Sequence, residues 1–308
     1  MPFFVYLRMK KILVTGSNGL LGQKLTDKLC SDNRFELIAS SKGENRNILK
    51  GEYYYEDLDI TDEDRISEVF EKHKPDIIIH TAAITNVDTC HQETELCREV
   101  NVDAVESLVE AANRFNCHFI HLSTDFIFDG ENGPYTETDL PNPLSIYGQS
   151  KLDAEQLVMG TAKRWAILRT VLVYGAAKNM SRSNIVLWAK DSLSKGQPIN
   201  VVNDQFRTPT LADDLADACI LVAMAEVNGI YHISGEDMMS IADIVYAVAR
   251  HWNLETSTIN PVSSDTLNQE AKRPKRTGFI IDKAKTNLGY KPHSFAMGLE
   301  ILSVQLSE

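Results

Sequence analysis

The sequence predicts a doubly wound α/β fold built on a parallel sheet. Three observations predict it. Strand-like and helix-like segments alternate from Lys11 onward, helical stretches of about 10–15 residues separate the strands, and the first strand ends in a glycine-rich turn that runs into a helix. In order, Lys11–Thr15 is an apolar run and the pattern from Leu20 to about Cys30 is helical. Phe35–Ser40 reads as a second strand and Tyr53–Glu56 as a third. Thr61-Asp62-Glu63-Asp64 opens a helix, with Thr61 as N-cap and carboxylates in the first turn, where they meet the positive end of the dipole. Asp76–His80 is a fourth strand, buried on both faces because Ile77-Ile78-Ile79 is unbroken. A long helical pattern runs from Glu93 to Phe115, and His118–Ser123 is a fifth strand. A loop rich in glycine and proline (129–143) leads to a helix from about Tyr147 and a strand at Ala166–Arg169. After Tyr174 the rhythm loosens into a helix at 184–195, a strand at 199–202, a helix at 211–225, a strand at 230–234 and a helix at 241–252. The expected division is one domain over 9–174 and a smaller α/β region over 175–308, with elements near 200–234 returning to the first sheet.

The chain has 308 residues, of which 43% are hydrophobic and 24% charged, enough apolar content to exclude disorder. The balance of 31 basic against 43 acidic residues, a net −12, argues against sequence-independent nucleic-acid binding, which needs an electropositive face. No window approaches the ~20 consecutive apolar residues that span a bilayer. Five cysteines, odd in number and without CxxC spacing, fit a reducing, cytoplasmic setting. The histidines show no metal-ligand spacing; His118 and His121, three apart in a strand, should face opposite sides of the sheet. No metal is expected. Residues 1–8 read as a tail or as an upstream start ahead of Met9-Lys10-Lys11. Oligomeric state stays open, a homodimer included.

Chemistry enters at Thr15-Gly16-Ser17-Asn18-Gly19-Leu20-Leu21-Gly22, a GxxGxxG sequence between a strand and a helix. A turn without β-carbons lets backbone approach a pyrophosphate, and the helix N-terminus supplies unpaired N–H groups; Gly22 also reads as a close helix–sheet contact. The second strand ends Ala39-Ser40-Ser41-Lys42-Gly43, with Arg46 soon after. Hydroxyls plus a cation suit a 2′-phosphate and favour NADPH, while Glu44, able to reach a ribose, keeps NADH open. Asp59 is placed to meet the adenine edge or to cap. Tyr-x-x-x-Lys occurs at Tyr6/Lys10, Tyr147/Lys151 and Tyr174/Lys178, and only Tyr147 and Lys151 begin a well-formed helix on which both share a face. An ammonium beside a phenol favours the phenolate, so the pair suits proton transfer to an alkoxide formed by hydride delivery. Thr124, in Ser123-Thr124-Asp125 at the end of the fifth strand, is placed to donate to a substrate carbonyl. Lys272-Arg273-Pro274-Lys275-Arg276 is a basic run from which Arg273 is the candidate for a substrate pyrophosphate; the other cations read as solvated.

The GxxGxxG turn, His80-Thr81-Ala82-Ala83, Asn101, Ser-Thr-Asp and Tyr-x-x-x-Lys together resemble the extended short-chain dehydrogenases/reductases. The segments 123–130, 143–151, Arg169-Thr170, 203–210 and Arg273-Pro274 look more closely like the dTDP-4-dehydrorhamnose reductases. The resemblance spans nearly the whole chain from Met9. It implies a Rossmann-type domain with a small C-terminal substrate-binding domain, and NAD(P)H-dependent reduction of a nucleotide-linked 4-keto-6-deoxy sugar by Thr124, Tyr147 and Lys151. It adds Ile60, Thr81, Ala82, Ala83 and Asn101 to the cofactor site, and Thr85, Val87, Asp125 and Phe126 to the substrate site. Two positions depart from the pattern: Leu172 stands where that family carries Trp, and Arg207-Thr208 replaces Gly-Ala. A lost aromatic platform and a gained cation imply a reshaped pocket. Sugar-nucleotide epimerases share the Tyr and Lys, whereas dehydratases follow the strand-end Thr with Asp-Glu, and here Phe126 follows Asp125. The chain also resembles the regulatory subunit of methionine adenosyltransferase, a non-catalytic NADP-binding alternative.

Overall fold

The structure is a computed structural model that describes residues 8–47, 51–180, 183–267 and 270–307; of the tail read over residues 1–8, residues 1–7 lie outside the described part. The strands β1 (Lys10–Thr15), β2 (Phe35–Ser41), β3 (Tyr54–Asp57), β4 (Ile77–His80), β5 (His118–Thr124) and β6 (Trp165–Thr170) join Gly229–Ile233 in one seven-stranded sheet. The order is Gly229–Ile233, β6, β5, β4, β1, β2, β3, and every pairing is parallel. The chain winds outward from β1 to β3, crosses to β4 and winds out the other way. The reversal between β1 and β4 opens a crevice at the carboxyl ends of these strands, where such sheets bind ligands.

Alternation along the strands feeds two cores. On one face Ile12 and Val14 pack with Leu25 and Leu29 of α1 (Leu20–Leu29) and with Leu215 and Cys219 of the helix Ala212–Ala225. On the other, Leu13, Ile78 and Phe119 pack with Val69 and Phe70 of α2 (Glu63–His73), and with residues of the helices that follow β4 and β5. His118 and His121 do lie on opposite faces, His121 on the side of Phe119. A third core joins Val186, Ala189, Val245, Val248, Leu299 and Leu302 from the helices Ile185–Ser194, Ile241–His251 and Phe295–Ser307. Of the later segments, Gly229–Ile233 lies beside β6, while Ile199–Val202 pairs with Ile259–Val262 in a separate two-stranded ladder.

Two local expectations are corrected. Helix α2 is capped by Asp62, whose carboxylate accepts from Arg65 N at 2.9 Å, whereas the Thr61 hydroxyl turns back to Asp59 Oδ1 at 2.9 Å. Asp62→Ala is therefore expected to cost about 1 kcal/mol, read as a lower urea midpoint, with Thr61→Ala costing less. The stretch read as one helix from Glu93 to Phe115 begins earlier and is broken: α3 (Val87–Gln92), α4 (Thr94–Arg98), a π-helical turn at Glu99–Asp103 and α5 (Ala104–Arg114). Asn86 starts α3 by accepting from Asp88 N at 3.0 Å. A π-turn inserts one residue into the helical register, and such turns concentrate at functional sites.

Candidate functional site

The glycine turn lies where β1 meets the crevice. Gly16 has φ +71°, and a β-carbon there would stand 2.7 Å from Ala82 N; one on Gly22 would stand 2.2 Å from Gly16 O. Only glycine permits the turn at the first position and the helix–turn contact at the second. Helix α1 starts at Leu20 and Leu21 with Gly19 as N-cap, no side-chain cap and no acidic residue in its first turn. Its opening N–H groups and dipole are thus left for an anion. The buried Ser17 hydroxyl in the same turn has no hydrogen-bond partner among the described residues. A dinucleotide pyrophosphate fits this donor set.

Beside the turn lies a cavity of about 310 Å³ lined by Gly16, Ser41, Lys42, Asp59, Ile60, Ala82 and Ala83, all named from the sequence, and by Leu96, Glu99 and Val100, which were not. The last three come from the end of α4 and the π-turn, and their one signal was proximity to Asn101. A second, open cavity of about 520 Å³ adjoins it at Lys42–Arg46 and Asn179. The Lys42 ammonium is 2.6 Å from Asp59 Oδ2 and largely exposed, and this contact holds the Asp59 carboxyl below its usual range.

Four side chains placed at this end from the sequence are committed to the protein instead. The Ser40 hydroxyl is fully buried and donates to Val14 O at 3.2 Å, because Ser40 faces inward on β2. Thr81 donates to Thr15 O at 2.6 Å. Asn18 donates to Glu44 O at 2.9 Å and accepts from Arg46 N at 2.8 Å, fastening the loop after β2. Asn101, within the π-turn, accepts from Ile84 N at 2.9 Å and donates to Ile84 O at 3.0 Å and Ser150 Oγ at 3.1 Å. These residues shape the groove through its backbone.

At the other end, Thr124 closes β5 and helix α6 (Ile146–Thr161) starts beside it, capped by Ser145, which accepts from Gly148 N at 3.1 Å. A β-carbon on Gly148 would lie 2.2 Å from Phe126 O, so the first turn of α6 rests directly on the turn after β5. That contact, invisible in the Tyr-x-x-x-Lys motif, brings the Tyr147 phenol beside the Thr124 hydroxyl. Burial pushes the phenol up from its ordinary range, with Thr124 opposing and Asp125 reinforcing. Lys151, one turn on, is 3% exposed; burial lowers its ammonium to about 8, against the pull of Glu155, and its Nζ is 3.1 Å from His121 Nε2. Lysine thus spends a donor on the sheet, and burial is the dominant influence on the phenol.

The substrate side is built around the same turn. Phe126 meets Tyr147 edge-on at 5.8 Å, and Val87 packs with Tyr147, Cys90, Cys97 and Ala271. Thr85 is exposed on the approach to α3. Arg207 is corrected: it is 3% exposed and presents no free cation. Its Nε lies 3.6 Å from Asp125 Oδ2, its guanidinium stands over the Phe126 ring at 5.6 Å, and it donates to Phe206 O at 2.7 Å and Pro274 O at 2.8 Å. Thr277 donates to the same Asp125 oxygen. Burial nonetheless outweighs the guanidinium and leaves the Asp125 carboxyl raised. Arg273 is half-buried and bonded to Asp88 Oδ2 at 2.7 Å, while Lys272, Lys275 and Arg276 are exposed. Leu172 is half-buried between the first and third cores with φ +38°, a backbone setting that costs a non-glycine residue strain. Among the described residues no three His, Cys, Asp or Glu converge to hold a metal, and no helix is long and apolar enough to cross a membrane.

Comparison with known proteins gives the same family as the motifs. The chain is 31% identical over 304 residues to a dTDP-4-dehydrorhamnose reductase of Aggregatibacter actinomycetemcomitans, covering 95% of this chain and 98% of that one. It is 29% identical to the methionine adenosyltransferase 2 subunit beta of Danio rerio, over 88% of this chain and 83% of the relative. Its fold superposes with a TM-score of 0.85, at 27% identity, on a dTDP-4-dehydrorhamnose reductase from Bacillus anthracis solved in complex with NADP, covering 96% and 99% of the two chains. With a match to the family model "RmlD substrate binding domain" running from residue 9 to residue 306, the chain belongs to that family.

Proposed function

We propose that this protein is an NADPH-dependent reductase of a nucleotide-linked 4-keto-6-deoxy sugar. The observation that carries the reading is the convergence of Thr124, Tyr147 and Lys151 at the carboxyl end of β5, across the crevice from an uncapped helix N-terminus. The relative and the solved structure named as dTDP-4-dehydrorhamnose reductases, one holding NADP, support it. NADPH bound along the groove would supply the hydride. Glycines 16, 19 and 22, Ser17 and the first N–H groups of α1 would hold the pyrophosphate, with Asp59, Ile60, Ala82 and Ala83 around the adenosine. Lys42 and Ser41 stand where a 2′-phosphate is read, and Lys151 keeps two ammonium donors for the nicotinamide ribose. Thr124 donates to the sugar carbonyl and Tyr147 gives its proton to the alkoxide. A phenol held protonated by burial is in the correct state for that direction of reaction. Arg207 acts through Asp125 and Phe126, not by touching the sugar.

The test is NADPH oxidation, followed by absorbance, with dTDP-4-keto-6-deoxy sugar as substrate; absence of turnover with tight NADPH binding would overturn the reading. It would then favour the second one, a cofactor-holding regulatory subunit, for which the similarity to methionine adenosyltransferase 2 subunit beta speaks. Lys42→Ala separates the cofactors. Removing the cation is expected to weaken NADPH about tenfold, the worth of one charge-assisted hydrogen bond, and to leave NADH within about twofold. Equal losses for both in a fluorescence titration would remove Lys42 from the 2′-phosphate site.

A further inference from the structure

We propose that His121 is a positioning residue that fixes the Lys151 ammonium from beneath, as the last member of a buried polar row joining the glycine turn to Tyr147 and Lys151. The row is set by strand register. Thr15 on β1 is opposite His80 on β4, and His80 is opposite His121 on β5, so three adjacent parallel strands place the three side chains in line. Thr15 Oγ1 is 2.8 Å from His80 Nδ1, the two imidazoles stack at 5.6 Å and 21°, and His121 Nε2 is 3.1 Å from Lys151 Nζ. None of the four is more than 3% exposed. The inference rests on the reductase reading for its catalytic consequence but not for its geometry.

The chemistry needs an acceptor here. An ammonium carries three donors and no acceptor, and a buried one left unpaired loses its proton. A neutral imidazole protonated on Nδ1 accepts through Nε2. A protonated one would repel. Burial keeps both rings neutral: His80 is pushed down to about 3 and His121 well below its ordinary value, each lowered further by Lys151. Besides the two histidines, the titratable groups that act on Lys151 are Glu155 on its own helix, Cys97 on α4 and Cys90 on α3. Glu155 is itself engaged by Arg169 at 2.7 Å. Among the described residues, His121 is the side chain at hydrogen-bond distance from the Lys151 ammonium.

The experiment reads Lys151 directly. In protein labelled with 13Cε-lysine, the Lys151 signal is the one missing from Lys151→Met, and its titration midpoint is measured in wild type, His121→Leu and His121→Gln. Loss of the acceptor is expected to lower the midpoint by about one pH unit or more, and Gln, which keeps an acceptor oxygen, is expected to restore most of it. Should Leu not fold, His121→Phe keeps a ring of similar volume without an acceptor. An unchanged midpoint in the acceptor-free variant overturns the proposal. In parallel, kcat in His121→Leu should fall about tenfold with its alkaline limb moved to lower pH and KM within about twofold. A Lys151 midpoint that moves as stated in a wild-type protein without turnover would sustain the positioning role and overturn the reductase reading alone.

Discussion

Tyr147→Phe is expected to lower kcat by about a thousandfold, within the range of ~10²–10⁴ that general-acid catalysis supplies, while NADPH affinity stays within about twofold. The substitution removes one oxygen and keeps the ring, which is 8% exposed and packed with Phe126, Val87 and Cys90, so folding is preserved. Thr124 retains Asp125 Oδ1 at 3.2 Å as its acceptor and is not orphaned. The alkoxide left by hydride delivery would then keep the Thr124 hydrogen bond but lose the group proposed to give it a proton. Steady-state NADPH oxidation and a fluorescence titration of NADPH check the two halves, and turnover within tenfold of wild type would remove Tyr147 as the acid. The pH dependence follows from which group titrates. Burial raises the phenol above its ordinary value, so Tyr147 remains protonated through the neutral and mildly alkaline range. Lys151, lowered to about 8, changes charge within that range, and the neighbouring Cys97 thiol, lowered by its hydrogen bond with Cys90, titrates there too. The Lys151 ammonium is present below its own value and lost above it, so the wild-type rate should fall as pH rises through about 8. A rate flat to pH ~10, the ordinary phenol value, would show that the charge on Lys151 is not needed.

The sheet was legible because its strands are short apolar runs punctuated by glycine and capped helices, and those signals are local. The GxxGxxG turn was legible for the same reason: Gly19 and Gly22 meet Gly16 and Ser17 within the turn itself, and Gly16 takes a positive φ, although its closest neighbour is the distant Ala82. What escaped depends on distant partners. The π-turn at Glu99–Asp103 leaves no mark on an amphipathic pattern, and the hydrogen bonds that accompany it, from Asn101 to Ile84 O and Ser150 Oγ, reach distant residues. Ser40 looked like a phosphate ligand because a strand-end serine carries no sign of which face it occupies; β2 ends one residue later, and the hydroxyl turns into the sheet. Gly148 read as part of a motif, whereas its absent β-carbon is what lets α6 rest on Phe126 O and brings Tyr147 to Thr124.

Arg207 shows the same limit and gives the largest expected effect on stability. Its sequence position, where the resembling reductases lead one to expect a small residue, reads as a cation gained by the pocket. Its surroundings make it a clamp between the turn after β5 and the segment 274–275. Arg207→Met keeps volume, removes the charge and leaves Asp125 fully buried without its cation, which is expected to cost about 3–5 kcal/mol near neutral pH, read from urea midpoints. Asp125 is already raised by burial, with Arg207 as the chief opposing influence, so the variant should raise it further. A carboxyl whose folded value lies above its unfolded one binds a proton on folding; its stabilisation is present at low pH and lost as pH rises through the folded value. The deficit of Arg207→Met should therefore be smaller at about pH 5 than at about pH 8. Adding Asp125→Asn, which takes the charge out of the same pocket, should recover part of the deficit at the higher pH and little at the lower. A deficit independent of pH, or no recovery in the double variant, would mean that Arg207 stabilises through the carbonyls of Phe206 and Pro274 alone. If the charge pair does hold, a residue that looked like a specificity determinant contributes to specificity only by fixing Asp125 and Phe126. Substrate KM in Arg207→Lys, which keeps a charge but not the planar fork, should then change together with kcat.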